Sequence, residues 1–252
     1  MQLHFKQLGH GEPVVLLHGL FGSADNWFGV APKLAEKYHV YALDLRNHGH
    51  SPHAAEMNYP LMAVDVEKFF KTQGLADAHV IGHSMGGKVA MQFALDYPAR
   101  VKKLVVVDMA PRAYARTHDA IFAALLALDL TAYQTRQQLE DALAGEVPSL
   151  NLRRFLLKNL GRDEAGKFVW KMNLAGVAGN YARLGEPLNL QIIYTKPTLF
   201  IRGGQSDYIG TTDAAEIQRY FTAAQIQTIA AANHWVHADA PAEFLRLAMD
   251  FL

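Results

Sequence analysis

The sequence predicts an α/β fold in which a mostly parallel sheet carries helices on both faces. Apolar strands alternate with helices over residues 1–108 and again over residues 196–252, and this alternation is typical of parallel sheets covered on both sides. Between residues 109 and 195 the pattern becomes helical instead. We therefore predict a core made of residues 1–108 and 196–252, with residues 109–195 inserted as a helical cap, or lid.

The elements of the core follow from short apolar runs bounded by turn residues. Strands are predicted at residues 13–18, 38–44, 78–81, 101–108, 197–202 and 225–230. Helices are predicted at residues 60–73, 86–95 and 211–221, and from residue 241 onward. The strand at 101–108 is nearly all apolar, as a strand buried on both faces must be. Because ligands bind at the carboxyl edge of such sheets, an insertion after this strand is expected to cover the binding site.

The segment 82–86 carries the strongest functional signal, since it has the G-x-S-x-G pattern between a predicted strand and a predicted helix. In this context the pattern indicates a nucleophile elbow, in which flanking glycines allow a sharp turn that exposes the serine oxygen. The helix that follows points N–H groups at any anion forming there. We therefore predict that Ser84 is a catalytic nucleophile.

The composition excludes several other classes of function. Lys plus Arg and Asp plus Glu both number 24, so no net charge favours a nucleic-acid partner. Cysteine is absent, which excludes disulfides and thiolate chemistry. Residues 1–7 lack the apolar core of a signal peptide, and the longest apolar run, 120–128, is far shorter than the roughly 20 residues of a membrane span. We expect a cytoplasmic enzyme, with no signal for a particular oligomeric state.

A serine nucleophile needs a base within hydrogen-bond reach, and in this arrangement the base follows the elbow along the chain. His234 lies on the loop after the last predicted strand, where such a base belongs. His237 is three residues further on, and we expect it to be structural. His234 is therefore the predicted general base.

The third member of the triad has two candidates. In the loop after strand 197–202, the spacing G-x-x-D-x-x-V counted from Gly203 places Ser206 at the acid's position. The shorter spacing G-x-x-D-x-I counted from Gly204 gives that position to Asp207. Asp108, at the end of the strand before the cap, is another carboxylate at the same edge of the sheet. We favour Asp108 as the acid that orients His234, with Asp207 as the alternative.

An oxyanion hole needs two main-chain donors, one after the nucleophile and one from the first strand–helix loop. The N–H groups of Met85 and Leu20 are the predicted donors, and Phe21 is a less favoured substitute for Leu20. The apolar character of the cap favours an acyl chain as substrate, although the same residues could equally form the packing core of the cap itself. The candidate substrate contacts lie in this loop, in the cap and beside the base: Phe21, Phe122, Leu125 and Trp235.

A metal centre is the competing interpretation of the histidine-rich segment 48–53. Three histidines in six residues are present, but no nearby carboxylate or cysteine completes a first coordination shell. Glycine and proline in the same segment favour a tight loop instead. We predict no metal and no cofactor.

Together these motifs resemble the α/β-hydrolase superfamily along essentially the whole chain. The matching segments occur in the expected order at residues 18–23, 44–51, 82–87 and 234–238. A narrower resemblance is to the YbfF-type bacterial esterases. It rests on R-N-H-G, V-D-M-A-P, H-D-x-I-F and G-G-x-S-x-Y at residues 46–49, 107–111, 118–122 and 203–208.

The resemblance implies an α/β-hydrolase fold with the lid inserted after the sixth strand. It also implies hydrolysis of carboxylic esters or acyl thioesters, acyl-coenzyme A among them. The family's acid corresponds to Asp108, and a serine at the Ser206 position lies near the triad. Two residues depart from the family pattern. Asn233 replaces a glycine before the histidine, and Asp207 adds a second carboxylate beside Ser206.

We therefore predict a serine hydrolase that cleaves small carboxylic esters or thioesters of short to medium acyl chains through an acyl-enzyme. One alternative is hydrolysis of the C–C bond of a ring-fission dienoate with the same triad, which would require additional polar and basic groups above the serine. A second alternative is a non-catalytic receptor on the same fold, since a fold alone does not determine a function.

Overall fold

The computed structural model describes all 252 residues, and its centre is a seven-stranded sheet. The sheet strands are Phe5–Leu8 (β1), Glu12–Leu17 (β2), Tyr38–Leu43 (β3), Ala78–His83 (β4), Val101–Val107 (β5), Thr198–Gly203 (β8) and Ala224–Ile229 (β9). A separate antiparallel hairpin joins Leu160–Arg162 (β6) to Phe168–Trp170 (β7). The predicted core strands are confirmed to within one or two residues at their ends.

Across the sheet the strands lie in the order β1, β3, β2, β4, β5, β8, β9. Every neighbouring pair is parallel except β1 with β3, which is antiparallel. The strand order reverses between β2 and β4, and ligands bind at such a reversal in open α/β sheets. The carboxyl ends of β2, β4, β5 and β8 therefore meet at one edge of the sheet.

The helices cover both faces of the sheet, and four of them belong to the insertion. The helices are Ala31–Leu34 (α1), Tyr59–Gln73 (α2), Met85–Asp96 (α3), Asp119–Ala127 (α4), Arg136–Ala142 (α5), Leu150–Leu156 (α6), Leu174–Gly185 (α7), Asp213–Tyr220 (α8), Val236–Asp239 (α9) and Pro241–Phe251 (α10). None of them has both the length and the apolar character that crossing a bilayer requires.

Two apolar cores lie on opposite faces of the sheet because alternate side chains of each strand point to opposite sides. In β2, Val15 and Leu17 belong to the larger core, while Val14 and Leu16 belong to the smaller one. The larger core continues without a break into the insertion, where Val177 of α7 is fully buried. The insertion therefore packs on the sheet through shared apolar contacts.

Three features of the fold differ from the sequence-based expectations. The insertion follows the fifth strand of the chain and not the sixth, because the N-terminal segment supplies a single edge strand, β1. It is also not wholly helical, because β6 and β7 form a hairpin closed by a turn at Gly166, where φ is +76°. β1 itself was not predicted, since three of its four residues are exposed and it has no apolar run.

Polar contacts also join the insertion to the loops of the core. The Asn173 N–H donates to the Asn47 carbonyl over 2.8 Å, and Asn159 Nδ2 donates to the Phe21 carbonyl over 2.7 Å. Tyr59 at the start of α2 donates its hydroxyl hydrogen to the carbonyl of Leu184 over 2.6 Å. Residues 109–195 are thus attached at several points around the carboxyl edge of the sheet.

Lys88 is a further attachment point, and it is fully buried on α3 one turn after Ser84. Its Nζ donates to the carbonyl of Glu186, 2.6 Å away, and lies 5.2 and 5.0 Å from the ring centres of Tyr59 and Tyr114. Burial, with a smaller contribution from the charge of Arg112, lowers the pKa of Lys88 to about 7. A buried ammonium group is costly, so the lysine readily loses its proton.

This lowered pKa predicts that Lys88 makes stability depend on pH. In the unfolded chain the pKa of Lys88 returns to its ordinary value of 10.5. Between pH 7 and 10 the unfolded state therefore binds more protons, and the contribution of Lys88 to stability rises with pH by at most about 1.4 kcal/mol per pH unit. Denaturant unfolding should show the wild type gaining stability relative to Lys88→Met over this range. A constant difference between the two proteins would contradict the prediction.

Candidate active site

Ser84 occupies the turn between β4 and α3, and its backbone is left-handed, with φ +53° and ψ −121°. Gly82 and Gly86 make this turn possible, because a side chain at either position would collide with the backbone. A Cβ atom on Gly82 would lie 2.1 Å from the carbonyl oxygen of Gly86, and one on Gly86 would lie 2.3 Å from the carbonyl oxygen of Leu17. The segment 82–86 thus has the geometry of a nucleophile elbow.

A continuous chain of hydrogen bonds connects three predicted residues from separate parts of the sequence. The Ser84 hydroxyl faces His234 Nε2 over 2.9 Å, and His234 Nδ1 faces Asp108 Oδ2 over 2.8 Å. His234 lies in the loop between β9 and α9, and Asp108 directly follows β5. This is the arrangement of a nucleophile, a base and an orienting acid.

The Asp108 carboxylate is completely buried, and each of its oxygens is hydrogen-bonded. Oδ1 accepts from the Gly203 N–H over 2.9 Å, and Oδ2 accepts from the Ser206 hydroxyl as well as from His234. The backbone of Asp108 is left-handed, with φ +50°. This conformation turns the carboxylate back towards the end of β8, where its donors are located.

Asp207, the alternative acid, has a different environment. Its side chain is exposed and makes no hydrogen bond to His234, and only its backbone carbonyl is engaged, by Arg112 over 3.3 Å. Ser206, at the neighbouring position, bonds to Asp108 instead of to His234. The structure therefore brings Asp108 to the imidazole and leaves Asp207 at the rim of the site.

Aromatic and imidazole side chains hold His234 in place. The ring of Tyr208 stacks on the imidazole with centres 3.7 Å apart and planes 15° apart. His83 Nε2 donates to the His234 carbonyl over 2.9 Å, and burial keeps the pKa of His83 well below its ordinary value. His237 has no hydrogen bond to Ser84; it stacks on Trp27 at 4.5 Å, and burial lowers its pKa to about 3. Both neighbouring histidines are therefore neutral.

Asn233, which replaces the glycine of the family pattern, causes no strain. Its φ is not positive, so the position does not require glycine. Its side-chain oxygen accepts from the His234 N–H over 3.0 Å, and its own N–H donates to Asp239 over 2.9 Å. The substitution adds a support for the loop that carries His234.

The first strand–helix loop passes directly against the nucleophile. A Cβ atom on Gly19 would lie 3.2 Å from the Cβ of Ser84. The N–H groups of Leu20, Phe21 and Met85 have no acceptor within the protein. The predicted oxyanion donors, Leu20 and Met85, are therefore unpaired next to Ser84, and so is Phe21.

The histidine-rich segment 48–53 supports this loop from behind and does not form a ligand cluster. His18 links the two segments, since its ring packs on that of His48 with centres 5.1 Å apart, while its Nδ1 donates to the Gly19 carbonyl and its Nε2 accepts from the Leu45 N–H. His48 donates to the Arg46 carbonyl, while His53 contacts the Lys171 carbonyl. No group of three histidine, aspartate or glutamate side chains converges in a way that could hold a metal ion.

A cavity of about 500 Å³ opens above Ser84, between the sheet edge and the insertion. More than half of its lining residues are apolar, and the insertion contributes Ile121, Leu152 and Phe155 to the wall. Arg112 is the one lysine or arginine on the wall, and Asp213 pairs with it at 3.0 Å. The cavity is therefore suited to an uncharged, largely apolar ligand.

Two of the four predicted substrate contacts line this cavity, and two do not. Phe21 and Trp235 are on its wall. Phe122 lies behind Phe21, with ring centres 4.7 Å apart, and Leu125 is buried in the core. The face of α4 that reaches the cavity carries Ile121 instead.

The sequence-based interpretation also missed residues that the structure places in the site. Tyr208 was part of a quoted motif, G-G-x-S-x-Y, yet its position on the imidazole was not predicted. His118, at the start of α4, and Tyr181 of α7 also line the cavity. The H-D-x-I-F motif that contains His118 was the only available signal for it, and no sequence spacing indicates that Tyr181 would be its neighbour.

The close approach of Gly86 to the Leu17 backbone predicts that Gly86→Ala is strongly destabilising, because the added methyl group would overlap with the Leu17 carbonyl. We expect a loss of at least about 3 kcal/mol in the free energy of unfolding. Gly179→Ala in α7 is a matched control, since a Cβ atom there meets nothing within 4 Å. It should stabilise the protein by about 0.5–1 kcal/mol. Equal denaturation curves for the two variants would contradict this interpretation.

Comparison with known proteins places this geometry in a family. The chain is 38% identical to "sn-1-specific diacylglycerol lipase ABHD11" of Danio rerio, an alignment that covers 98% of this chain and 80% of the relative. It is 36% identical to "Esterase YbfF" of Escherichia coli strain K12, in an alignment that covers 96% of this chain and 94% of the relative. A solved structure described as "Marine microorganism esterase" matches with a TM-score of 0.97 and 41% identity, over 100% of this chain and 99% of that one.

These similarities extend over the sheet, the insertion and the loops that carry the site. Residues 12–241 also match the sequence profile of a family described as alpha/beta hydrolase fold. This range includes the elbow, Asp108 and the loop of His234. The chain therefore belongs to the α/β-hydrolase family.

Proposed function

We propose that this protein is a serine esterase that hydrolyses small carboxylic esters, and acyl thioesters, through an acyl-enzyme. The observation that carries this proposal is the unbroken chain of hydrogen bonds from Ser84 through His234 to the buried Asp108, at the base of an apolar cavity. The names of the relatives, esterase and diacylglycerol lipase, support the same class of reaction.

In the proposed mechanism the Ser84 oxygen attacks the carbonyl carbon of the substrate while His234 Nε2 takes the hydroxyl proton. Asp108 holds the imidazole in the correct tautomer and stabilises the imidazolium that forms. The N–H groups of Leu20 and Met85 bind the oxyanion of the tetrahedral intermediate. His234 then donates its proton to the leaving oxygen or sulfur, which releases the alcohol or thiol and leaves Ser84 acylated.

The second half of the reaction repeats these steps with water. His234 removes a proton from a water molecule, whose oxygen attacks the acyl carbon, and a second oxyanion forms at the same donors. Collapse of this intermediate breaks the bond to the Ser84 oxygen, which recovers its proton from the imidazolium. The carboxylic acid leaves, and no cofactor takes part in any step.

We also propose that residues 109–195 act as the cap that selects the acyl chain. Their apolar residues Ile121, Leu152 and Phe155 form a wall of the cavity above Ser84. The cavity volume of about 500 Å³ is within the range of about 300–1,000 Å³ typical of small-molecule sites. Chains of short to medium length are the expected substrates. Acyl thioesters as further substrates, and a cytoplasmic location, are predictions from the sequence.

Hydrolysis of the C–C bond in a dienoate is less well supported. A dienoate carries a carboxylate that would require a cation close to the serine. The cavity wall has a single arginine, Arg112, and the carboxylate of Asp213 already pairs with it. A non-catalytic role is disfavoured because the three triad groups are fully aligned.

The roles of the two aspartates can be separated with matched substitutions. Asp108→Asn is expected to lower kcat for p-nitrophenyl butyrate by about 10⁴-fold, because an amide imposes the wrong imidazole tautomer. Asp207→Asn should remain close to wild-type activity, since its carboxylate makes no contact with His234. Ser84→Ala should abolish both turnover and labelling by a fluorophosphonate probe. Thermal unfolding of each variant controls for loss of the fold.

The opposite ranking of Asp108→Asn and Asp207→Asn would assign the acid to the loop after β8. If Ser84→Ala hydrolysed the ester as fast as the wild type, the proposed esterase function would be wrong.

A bulky residue on the inner face of α4 should shorten the preferred acyl chain. Ile121→Trp is expected to reduce kcat/KM for p-nitrophenyl octanoate at least about tenfold relative to the butyrate, because the indole fills the space of several methylene groups. Leu126→Trp is the matched control, since Leu126 is on the same helix, is 51% exposed and does not line the cavity. An equal effect of the two substitutions would show that the cap wall does not select chain length.

A further inference from the structure

Two tyrosine hydroxyls on the wall of the cavity already have partners within the protein. The Tyr59 hydroxyl donates to the Leu184 carbonyl. The Tyr114 hydroxyl donates to the Tyr208 carbonyl and accepts from the Ala110 N–H. Such groups present their rings, and not their hydrogen-bonding capacity, to a ligand. Tyr59 and Tyr114 therefore contribute mainly apolar surface to the wall.

His118 also lines the wall, and one of its ring nitrogens has no protein partner. Its Nδ1 lies 2.7 Å from the hydroxyl oxygen of Tyr181 and 3.3 Å from that of Thr117. Its backbone N–H donates to the same Tyr181 oxygen over 3.1 Å. Nε2 makes no hydrogen bond within the protein, and it is not sealed from the cavity that His118 lines.

These contacts determine which ring nitrogen carries the proton. The Tyr181 oxygen already accepts from the backbone of His118, and its own hydrogen has no acceptor other than His118 Nδ1. We therefore assign the hydroxyl as the donor to Nδ1, which is unprotonated in this arrangement. In a neutral imidazole the other nitrogen is then the donor. His118 thus presents an Nε2–H group to the ligand.

The donor is uncharged at neutral pH. Burial, together with the nearby His234, lowers the pKa of His118 below its ordinary value of 6.5. A neutral N–H pairs with a carbonyl, ether or hydroxyl oxygen and offers no net charge to attract a carboxylate. The imidazole ring is 6.0 Å from the ring of Phe21, the residue that follows the proposed oxyanion donor Leu20. The donor therefore lies on the wall of the same cavity as Ser84.

We propose that His118 is a specificity-determining residue whose Nε2–H binds a second oxygen of the substrate, beside the ester that is cleaved. The inference rests on the proposed esterase function and narrows its substrate class. Favoured substrates would carry an additional ester carbonyl, ether or hydroxyl oxygen, as partially acylated polyols and oxygen-substituted acyl chains do. The second oxygen can belong to the alcohol or to the acyl group, and the two sources are distinguished by experiment.

The test uses three esters of equal length: pentyl pentanoate, ethoxyethyl pentanoate with an ether oxygen in the alcohol, and pentyl ethoxyacetate with an ether oxygen in the acyl group. Loss of one neutral hydrogen bond should make His118→Leu about three- to tenfold worse on an oxygen-bearing ester than on pentyl pentanoate, relative to wild type. His118→Gln, which keeps a donor, should restore much of this discrimination. The oxygen-bearing ester whose hydrolysis is slowed most by His118→Leu shows whether the second oxygen belongs to the alcohol or to the acyl group.

The tautomer gives a second readout that does not depend on activity. Long-range ¹H–¹⁵N correlation spectra should show His118 protonated at Nε2 and not at Nδ1, and Tyr181→Phe should weaken this preference. Equal effects of His118→Leu on all three esters, or a proton on Nδ1, would overturn the inference while leaving the esterase intact. Absence of Ser84-dependent hydrolysis of any ester would instead overturn the proposed function, and the inference with it.

Discussion

The contact between Gly86 and the carbonyl of Leu17 sets how closely α3 can approach β2, and the geometry of the site depends on this distance. Because α3 lies against the sheet with no intervening side chain, the chain must turn within one residue after β4. Ser84 is that residue, and its left-handed backbone is the result. The same close packing brings the loop at Gly19 against Ser84, so main-chain contacts place the proposed nucleophile beside the proposed oxyanion donors.

The acid side of the site is built on a second left-handed residue, Asp108, at the end of the adjacent strand. Its donors come from the end of β8 and from the loop of His234, so three strand ends converge on one carboxylate. Burial lowers the pKa values of His83 and His237, which keeps both neutral. Neither of these two neighbouring imidazoles therefore places a positive charge beside the Asp108 carboxylate.

The sequence was informative wherever a local pattern has one structural meaning. Strand–helix alternation predicted the sheet, and the glycines around Ser84 predicted the turn. The pattern failed where local signals are weak: β1 is an exposed edge strand, and β6 and β7 have three residues each. The helix α4 carries apolar residues on every face. Hydrophobic periodicity therefore could not show that His118 and Ile121, and not Phe122, line the cavity. Contacts between residues far apart in the sequence, such as that of Tyr181 with His118, cannot be predicted from the spacing of motifs.

Two tyrosines, Tyr114 and Tyr208, connect the insertion to the imidazole ring of His234. Tyr114, near the start of the insertion, donates its hydroxyl hydrogen to the backbone carbonyl of Tyr208, whose ring is stacked on His234. Both tyrosines also line the cavity. The surface that a ligand would touch and the support of the imidazole ring are therefore built from the same two side chains, and a substitution at Tyr114 would change both at once.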